Sequence, residues 1–396
     1  MKPAIQFSLL LIVLQVHNGH GDKDPLQEKL ASSIADFAFK FSRQVASLQS
    51  GQNIFFSPLS ISMAFSMIGM GAKSNTQNQI YKGLGLTSID TSKIHKEFKQ
   101  LIQMLKSPGA KMDIGNALWI KKPHQILPKF SKGVKSLYKA ESFNFEQPSV
   151  AEKQINDYVN KKTHGKITKA VQDLDPAAIM VLVNYIYFKD DWEYPFDPEL
   201  THKEDFFIDE GKTVKVDMMR NTAVYRYFHD KALSCWVVEL PHKGGAVAWF
   251  ILPDKGKLKE VEDAMGEETL SKWRKSLTED KISLFLPKFS MSASYDLNNV
   301  LSGLGITDVF SSNADLSGIT GSSGLKINKA IHQAVLDIHE KGSEAAAVTV
   351  VTTGFKSLSL RDPVVLKFTR PFFLTILAPN DGPLLFMGKV MNPVQK

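Results

Sequence analysis

Cysteine is nearly absent from this sequence. The chain has 396 residues and a single cysteine, Cys235, so no disulfide can form within it and its stability must come from burial of apolar side chains. Cys235 lies in an apolar, strand-like run, residues 235–240, which predicts a buried thiol. No Asn-x-Ser/Thr sequence occurs, so N-linked glycosylation is not expected.

Long apolar runs are also scarce. Residues 4–16 form a short apolar stretch after a basic start and before small residues, the pattern of an export signal. A membrane-spanning helix needs about 20 apolar residues, and no other segment approaches that length. We therefore expect residues 1–21 to be a signal peptide, and residues 22–396 to form one domain secreted into plasma or another body fluid.

Familiar catalytic and metal-binding motifs are missing. The sequence contains no His-Glu-x-x-His, no Cys-x-x-Cys and no Gly-x-Ser-x-Gly, so neither a metal hydrolase nor a common serine hydrolase is indicated. We expect a protein that is not an enzyme and that needs no metal or cofactor. The net charge of +7 permits a polyanion-binding patch, but no nucleic acid or membrane partner is expected.

Hydrophobic residues make up 43% of the chain, and their spacing predicts a mixture of helices and strands. Helices are predicted over residues 26–48, 53–72, 151–163, 257–276 and 294–303. Strands are predicted over residues 179–188, 235–240, 246–252, 281–286, 364–368 and 372–378. No Gly- or Ser-rich linker separates them, so one continuous α+β domain is expected.

The segment 340–363 has an unusual alternation. Read with period two, one set of its side chains is small or β-branched and uncharged: Ser343, Ala345, Ala347, Thr349, Val351 and Thr353. A strand with that face could enter between two others without forcing the core apart. A helix over residues 344–347 remains open, since alanine is the best helix former, although the β-branched run after it opposes a longer helix.

A bulky, basic and small triplet, Phe355-Lys356-Ser357, follows this alternation. A long cation suits the deep anionic pocket that trypsin-like proteases place beside the scissile bond. Basic residues in loops are common, however, and an ordinary solvated lysine is the alternative at this point.

Motifs along the chain resemble the serpin family, closest to its antitrypsin-like plasma group, clade A. Residues 340–347 (EKGSEAAA) resemble the hinge that begins the reactive loop of inhibitory serpins. Other motifs in the family's order are 53–60 (NIFFSPLS), 156–159 (NDYV), 163–167 (THGKI), 183–186 (VNYI), 368–372 (FTRPF) and 385–390 (LFMGKV).

The resemblance implies an α+β fold of three β-sheets and about eight or nine helices, with an exposed reactive loop over about residues 340–363. It also implies inhibition of a serine protease by a suicide-substrate mechanism. The protease cuts the loop, and the freed hinge inserts into the main sheet before the acyl-enzyme is hydrolysed. We expect a monomer whose partner is a trypsin-like serine protease, held in a covalent complex.

The positions of the reactive loop are assigned by counting residues along it, as in relatives with a loop of this length. The scissile bond follows the seventeenth residue from the hinge glutamate, which places it at Lys356–Ser357 with Phe355 in the preceding subsite. The Phe-basic pair is similar to the loops of protein C inhibitor and kallistatin and favours a tissue kallikrein-like target; a bond at Arg361 is the competing choice. The implied hinge residues are Glu340, Gly342, Ser343, Glu344, Ala345, Ala346 and Ala347.

The resemblance also implies a polar cluster that lets the main sheet open. Its members beneath the central strands are Ser57, Ser60, Asn184 and His332. Trp192, Lys288 and Glu340 are expected at the top of the sheet, where insertion starts.

Two questions stay open at the level of sequence. Some serpins carry hormones or other small apolar ligands instead of inhibiting, and the uncharged inward face from Ser343 to Thr353 favours inhibition because a charge there would oppose insertion. A heparin-like glycosaminoglycan is a candidate ligand of Lys272, Arg274 and Lys275, but the neighbouring acidic residues favour an ordinary solvated helix face.

Overall fold

The structure, a computed structural model, describes residues 24–105, 112–322, 324–342 and 362–395. The α-helices of this part are α1 (Pro25–Leu48), α2 (Pro58–Gly69), α3 (Ser74–Gly83), α4 (Thr91–Leu105), α5 (Pro128–Tyr138), α6 (Pro148–Lys162), α7 (Leu258–Ala264), α8 (Glu267–Ser276), α9 (Leu297–Gly303) and α10 (Ser317–Thr320). Its strands are β1 (Ile54–Phe56), β2 (Met112–Lys121), β3 (Glu141–Phe145), β4 (Met180–Phe188), β5 (His202–Phe207), β6 (Thr213–Asp230), β7 (Cys235–Pro241), β8 (Val247–Pro253), β9 (Thr278–Pro287), β10 (Phe289–Asp296), β11 (Lys329–Ile338), β12 (Val364–Lys367), β13 (Phe372–Leu377) and β14 (Leu384–Val390).

A five-stranded sheet has the order β10-β11-β4-β2-β3. Its central pair, β11 and β4, runs parallel, while β10 and β2 lie antiparallel to their inner neighbours. Every residue of β4 is buried, because helices cover the sheet on one side and the remaining core covers it on the other. A strand buried on both faces needs a continuous apolar run, which residues 180–188 supply.

The second sheet has nine strands. Three sheets were expected, but the described residues form two, because this sheet unites two of the expected three. Its order is β1-β14-β13-β8-β7-β6-β9-β12, with β5 also paired to β6. The 18-residue strand β6 makes this connection, since its first third pairs with β5, its middle with β9 and its end with β7. The α+β fold class is confirmed, and the described part has ten α-helices, slightly more than expected.

The helix α2 forms the centre of the core. All of its residues are buried, as its apolar sequence with interspersed serines predicts. Pro58 occupies its first turn, and the Ser57 side chain caps it by accepting from the backbone N–H of Ser60, so the helix start is fixed locally. The helix contacts β4 and β14 and so supports both sheets.

Several predicted boundaries differ from the structure. The predicted helix over residues 53–72 starts with a strand, β1, because Ile54–Phe56 pairs with β14. The predicted helix over residues 257–276 is two helices, interrupted at Met265 and Gly266. Residues 294–296 belong to β10, and the Asp296 side chain caps α9 by accepting from Asn298 N, so the helix begins only after it.

Other predictions agree with the fold. The hairpin at residues 235–253 forms as β7 and β8. Cys235 is buried, and burial raises the pKa of its thiol to about 12, so it is an inert core group. None of the helices in the described ranges combines the length and apolar character that crossing a bilayer requires.

Candidate functional site

The parallel contact between β4 and β11 is the centre of the candidate site. We call it the seam; it runs from the pair Val181 and Lys329 to the pair Tyr187 and Val335. A parallel pair is slightly less stable per residue than an antiparallel one. The seam therefore marks a place where the sheet can be parted at comparatively low cost.

Four polar residues form a row across the middle of this sheet. Asn116 on β2 lies opposite Asn184 on β4, Asn184 lies opposite His332 on β11, and His332 lies opposite Tyr295 on β10. All four are at least 96% buried. Buried polar groups need hydrogen-bond partners, so each member of this polar row has to bond to another member or to a neighbouring segment.

The hydrogen bonds of His332 define its protonation. Its Nε2 accepts from the backbone N–H of Ser57 at 3.0 Å, so Nδ1 carries the proton and donates to Asn184 Oδ1 at 2.5 Å. Burial lowers the pKa of His332 to about 3. The ring is therefore neutral at ordinary pH and joins α2 to the seam.

The Asn184 amide completes the network. Its Nδ2 donates to Ser60 Oγ at 2.5 Å and to Asn116 Oδ1 at 2.7 Å. The structure thus brings together Ser57, Ser60, Asn184 and His332 as expected. It adds two residues that sequence reasoning missed, Asn116 and Tyr295, whose hydroxyl accepts from Phe55 N at 3.2 Å; a lone amide inside the apolar run of β2 was the available signal for the first.

Three predicted residues meet at the upper end of the seam. Trp192 is 1% exposed, packs against the tilted His242 ring with centroids 4.3 Å apart, and donates from Nε1 to the backbone oxygen of His339 at 3.0 Å. Lys288 Nζ lies 3.0 Å from Glu340 Oε2. Although burial opposes it, hydrogen bonds from its own backbone and from Lys288 hold the pKa of Glu340 below its usual range.

The chain reverses direction immediately after β11. His339 and Gly342 exchange backbone hydrogen bonds of 3.0 and 3.2 Å, which closes a two-residue turn over Glu340 and Lys341. Gly342 then lies against the end of β4, where a Cβ would come within 2.2 Å of the Asp190 backbone oxygen. A glycine is required there, because any side chain would clash with this backbone.

A short strap crosses the sheet just above the last seam pair. The strap consists of residues 163–167, which follow α6. His164 Nε2 lies 2.8 Å from Asp113 Oδ2 on β2, and Lys166 Nζ lies 2.6 Å from Asp337 Oδ2 on β11. These contacts tie the strands on either side of β4, so parting the seam would separate Lys166 from Asp337.

Part of the predicted site lies outside the described residues. This part comprises Ser343, Glu344, Ala345, Ala346, Ala347, Phe355, Lys356, Ser357 and Arg361. The attacked bond and most of the hinge therefore stay predictions.

The predicted polyanion site lies on α8, and its cations are engaged with carboxylates. Lys272 Nζ lies 2.7 Å from Asp230 Oδ2, and Arg274 Nε lies 3.5 Å from Asp381 Oδ1. Because Lys272 and Arg274 are paired, this helix has less free positive charge than the sequence suggested. Binding of a polyanion by Lys272, Arg274 and Lys275 stays a prediction.

Comparisons with known proteins agree with this architecture. Residues 32–393 match the family profile described as "Serpin (serine protease inhibitor)". The chain is 41% identical to the mouse plasma serine protease inhibitor, over 98% of this chain and 99% of that protein. It is 44% identical to horse alpha-1-antiproteinase 2, over 96% of this chain and 91% of that protein.

A solved structure is also similar. Human thyroxine-binding globulin superposes with a TM-score of 0.88 at 41% identity, covering 93% of this chain and 100% of that chain. Proteins of the matched family are in general protease inhibitors and not enzymes, and relatives of this chain occur in plasma. The seam, its polar row and these similarities lead to one conclusion: the chain belongs to the serpin family, within its antitrypsin-like clade.

Proposed function

We propose that this chain is a secreted, monomeric inhibitor of trypsin-like serine proteases, with tissue kallikrein-like enzymes as preferred targets. The protease serine oxygen bonds to the Lys356 carbonyl carbon, the Lys356–Ser357 peptide bond breaks, and Ser357 leaves as a new amino terminus. The segment ahead of Lys356 then enters the seam and carries the acylated protease with it. Residues 1–21 serve as the signal peptide for export.

The observation that carries this proposal is the register set by the turn at His339 and Gly342. A strand continuing antiparallel to β11 from that turn pairs Ser343 with Ile338 and Thr349 with His332. Five of the six small or β-branched residues, every second residue from Ser343 to Val351, then lie opposite core-facing residues of β11 that are at most 1% exposed: Ile338, Leu336, Ala334, His332 and Ala330. Small side chains are what such a packed position accepts.

Insertion of the cleaved segment changes the strand pairing of the five-stranded sheet. The parallel β4–β11 contact is replaced by two antiparallel contacts, which are slightly more stable per residue. Neighbouring strands lie about 4.8 Å apart, so an inserted strand separates His332 from Asn184 and breaks their hydrogen bond. The Thr349 hydroxyl, opposite His332 in this register, is placed to replace it.

Trypsin tests the attacked bond directly. We expect a covalent complex that survives denaturing gel electrophoresis, with mass analysis locating cleavage after Lys356. Cleavage after Arg361 or another residue would contradict the assignment.

Replacement of Ser343 by Arg should convert the inhibitor into a substrate, since a charged group would then face Ile338 in the core.

A matched pair of variants tests the register of the inserted strand. Thr349→Val removes the hydroxyl assigned to His332, whereas Thr352→Val removes one on the opposite face. We expect the fraction of chains forming complex to fall for Thr349→Val only. Equal behaviour of the two variants would overturn the register while leaving inhibition itself intact.

A carrier of a small apolar ligand is the second candidate function. It is favoured by the close similarity to thyroxine-binding globulin, whose name states what that protein binds. Proteolytic cleavage of the loop separates the two functions. Insertion should raise the melting temperature markedly, whereas an unchanged melting temperature and no complex with trypsin would favour a carrier.

A further inference from the structure

Negative charge is concentrated in one segment of the chain. Residues 190–210 contain nine acidic residues and one lysine, a net charge of −8. The whole chain carries +7, so all other residues together carry +15. Such asymmetry creates a local field that the overall charge conceals. We call residues 190–210 the acidic segment.

The acidic segment lies beside both ends of the predicted reactive loop. Where the loop begins, the backbone N–H of Phe196 donates to the backbone oxygen of Glu340 at 2.7 Å, and the Thr201 hydroxyl donates to Glu340 Oε1 at 3.1 Å. Just after β12, where the chain has re-entered the fold, the backbone N–H of Phe207 donates to the Thr369 oxygen at 2.8 Å. A protease held on the loop would therefore stand next to this segment.

Three carboxylates of the acidic segment are exposed and have no ion-pair partner. These are Glu193, Glu199 and Asp209. Within the ranges that the structure describes, no lysine, arginine or histidine nitrogen is recorded within 4.0 Å of their oxygens, in contrast to Asp205, which pairs with Lys215 at 2.9 Å. Their charge is therefore available to a partner molecule.

Exposed apolar side chains accompany these charges. Tyr194, Leu200 and Phe207 are 45%, 47% and 52% exposed. In the part of the chain that the structure describes, three of the ten exposed large hydrophobic side chains thus lie in a segment of 21 residues. Aromatic and apolar groups among polar ones are typical of a surface that binds another protein.

We propose that the acidic segment is a docking surface for the attacked protease, and that it favours proteases whose surface beside the active-site cleft is basic. This inference rests on the proposed inhibition of trypsin-like proteases. Carboxylates beside the loop attract a basic protease before contact and raise the association rate. Lys356 then selects the specificity pocket, whereas the acidic segment selects among enzymes that share this pocket.

Cationic and anionic trypsin test the charge preference on the intact chain, because they share one specificity and differ in surface charge. The test variant replaces Glu193 and Glu199 with Gln and Asp209 with Asn. The matched control makes the same kinds of replacement at exposed carboxylates elsewhere: Glu28, Glu268 and Asp36. Both variants lose three negative charges, so only the location of the charge differs.

The readout is the second-order rate constant for formation of the covalent complex over a series of salt concentrations. At low salt, we expect the wild type and the control to react with cationic trypsin roughly tenfold faster than the test variant. High salt should remove this difference because it screens the charges. With anionic trypsin, the test variant should react no more slowly than the wild type. Equal rates for the test variant and the wild type with cationic trypsin at low salt, or an equal loss in both variants, would overturn the proposal.

The same experiment separates failure of this inference from failure of the proposed function. If neither trypsin forms a covalent complex with the wild type, protease inhibition is wrong and the docking surface falls with it. If complexes form at rates that do not depend on the acidic segment, the docking surface alone is wrong.

The apolar contribution is measured without cleavage. A trypsin whose catalytic serine is replaced by alanine binds the loop but cannot attack it. Leu200→Ser and Phe207→Ser should weaken this binding severalfold, mainly through faster dissociation. Leu48→Ser and Val394→Ser, at positions of similar exposure outside the acidic segment, are the controls and should leave it unchanged. Equal affinity of all four variants would contradict apolar docking.

Discussion

The middle and the upper end of the seam are held together by different forces. In the middle, neutral groups at least 96% buried exchange short hydrogen bonds. At the upper end, charged pairs are partly exposed, with 47% of the Lys288 side chain and 13% of the Glu340 side chain accessible. The hydrogen bond between His332 and Asn184 crosses the seam itself, whereas the Lys288–Glu340 pair joins the start of β10 to the turn after β11.

The difference indicates how the sheet opens. A buried polar group left without a partner costs about 1–3 kcal/mol, whereas a solvent-exposed ion pair contributes at most about 1 kcal/mol. The upper end is therefore the weaker part, and it lies beside the turn at His339 and Gly342. Opening should begin there and meet its main resistance at the polar row.

The largest expected effect is at Asn184. Asn184→Ala removes the partners of Ser60, Asn116 and His332 inside the core and should destabilise the protein by about 3 kcal/mol. Urea unfolding followed by circular dichroism measures it. Asn78→Ala, at an exposed position of α3, is the control and should change stability by less than about 0.5 kcal/mol; similar losses in both would show that the polar row does not hold the seam.

A smaller effect should follow from acid. Because burial keeps the folded-state pKa of His332 at about 3, below its ordinary value of 6.5, the unfolded chain takes up a proton at pH 5 that the folded chain does not. Stability is thus present above pH 6.5 and lost as the pH falls below it, by about 2 kcal/mol between pH 7 and pH 5 for this residue. Urea midpoints at both pH values measure the loss.

Two variants assign that pH dependence. His332→Gln should reduce the loss by about 2 kcal/mol, leaving contributions from other buried histidines such as His242. His202→Gln, which removes a half-exposed histidine, should keep the full loss. Identical pH dependence in the wild type and both variants would exclude His332 as the titrating group.

The smallest effects are expected for the charges at the upper end. Glu340→Gln and Asp337→Asn each remove one ion pair, with Lys288 and Lys166 respectively, and should cost no more than about 1 kcal/mol. Salt should reduce the cost further because these pairs are partly exposed. Unfolding at low and high salt measures it, and a loss as large as that of Asn184→Ala would reverse the ranking of the two regions.

Much of the fold was predictable because its signals are local. The three-residue spacing of apolar groups in α1 and the continuous apolar run of β4 each specify an element by themselves. The boundaries at β1, α7 and α9 were not predictable: pairing with β14 decided the first, the interruption at Met265 and Gly266 the second, and the strand β10 with the Asp296 cap the third. Asn116 and Tyr295 were missed for the same reason, since each gains its role only from the strand register.

By itself the sequence determined the family, the α+β class, the composition of the small alternating segment and the four-residue core of the polar cluster. Only the tertiary structure decided that these residues join a row across four strands, that a strap ties β2 to β11, and that Lys272 and Arg274 of α8 are paired with carboxylates. The reason is physical. Periodicity and motifs depend on neighbours in the chain, whereas hydrogen bonds, ion pairs and burial depend on which distant segments the fold brings together.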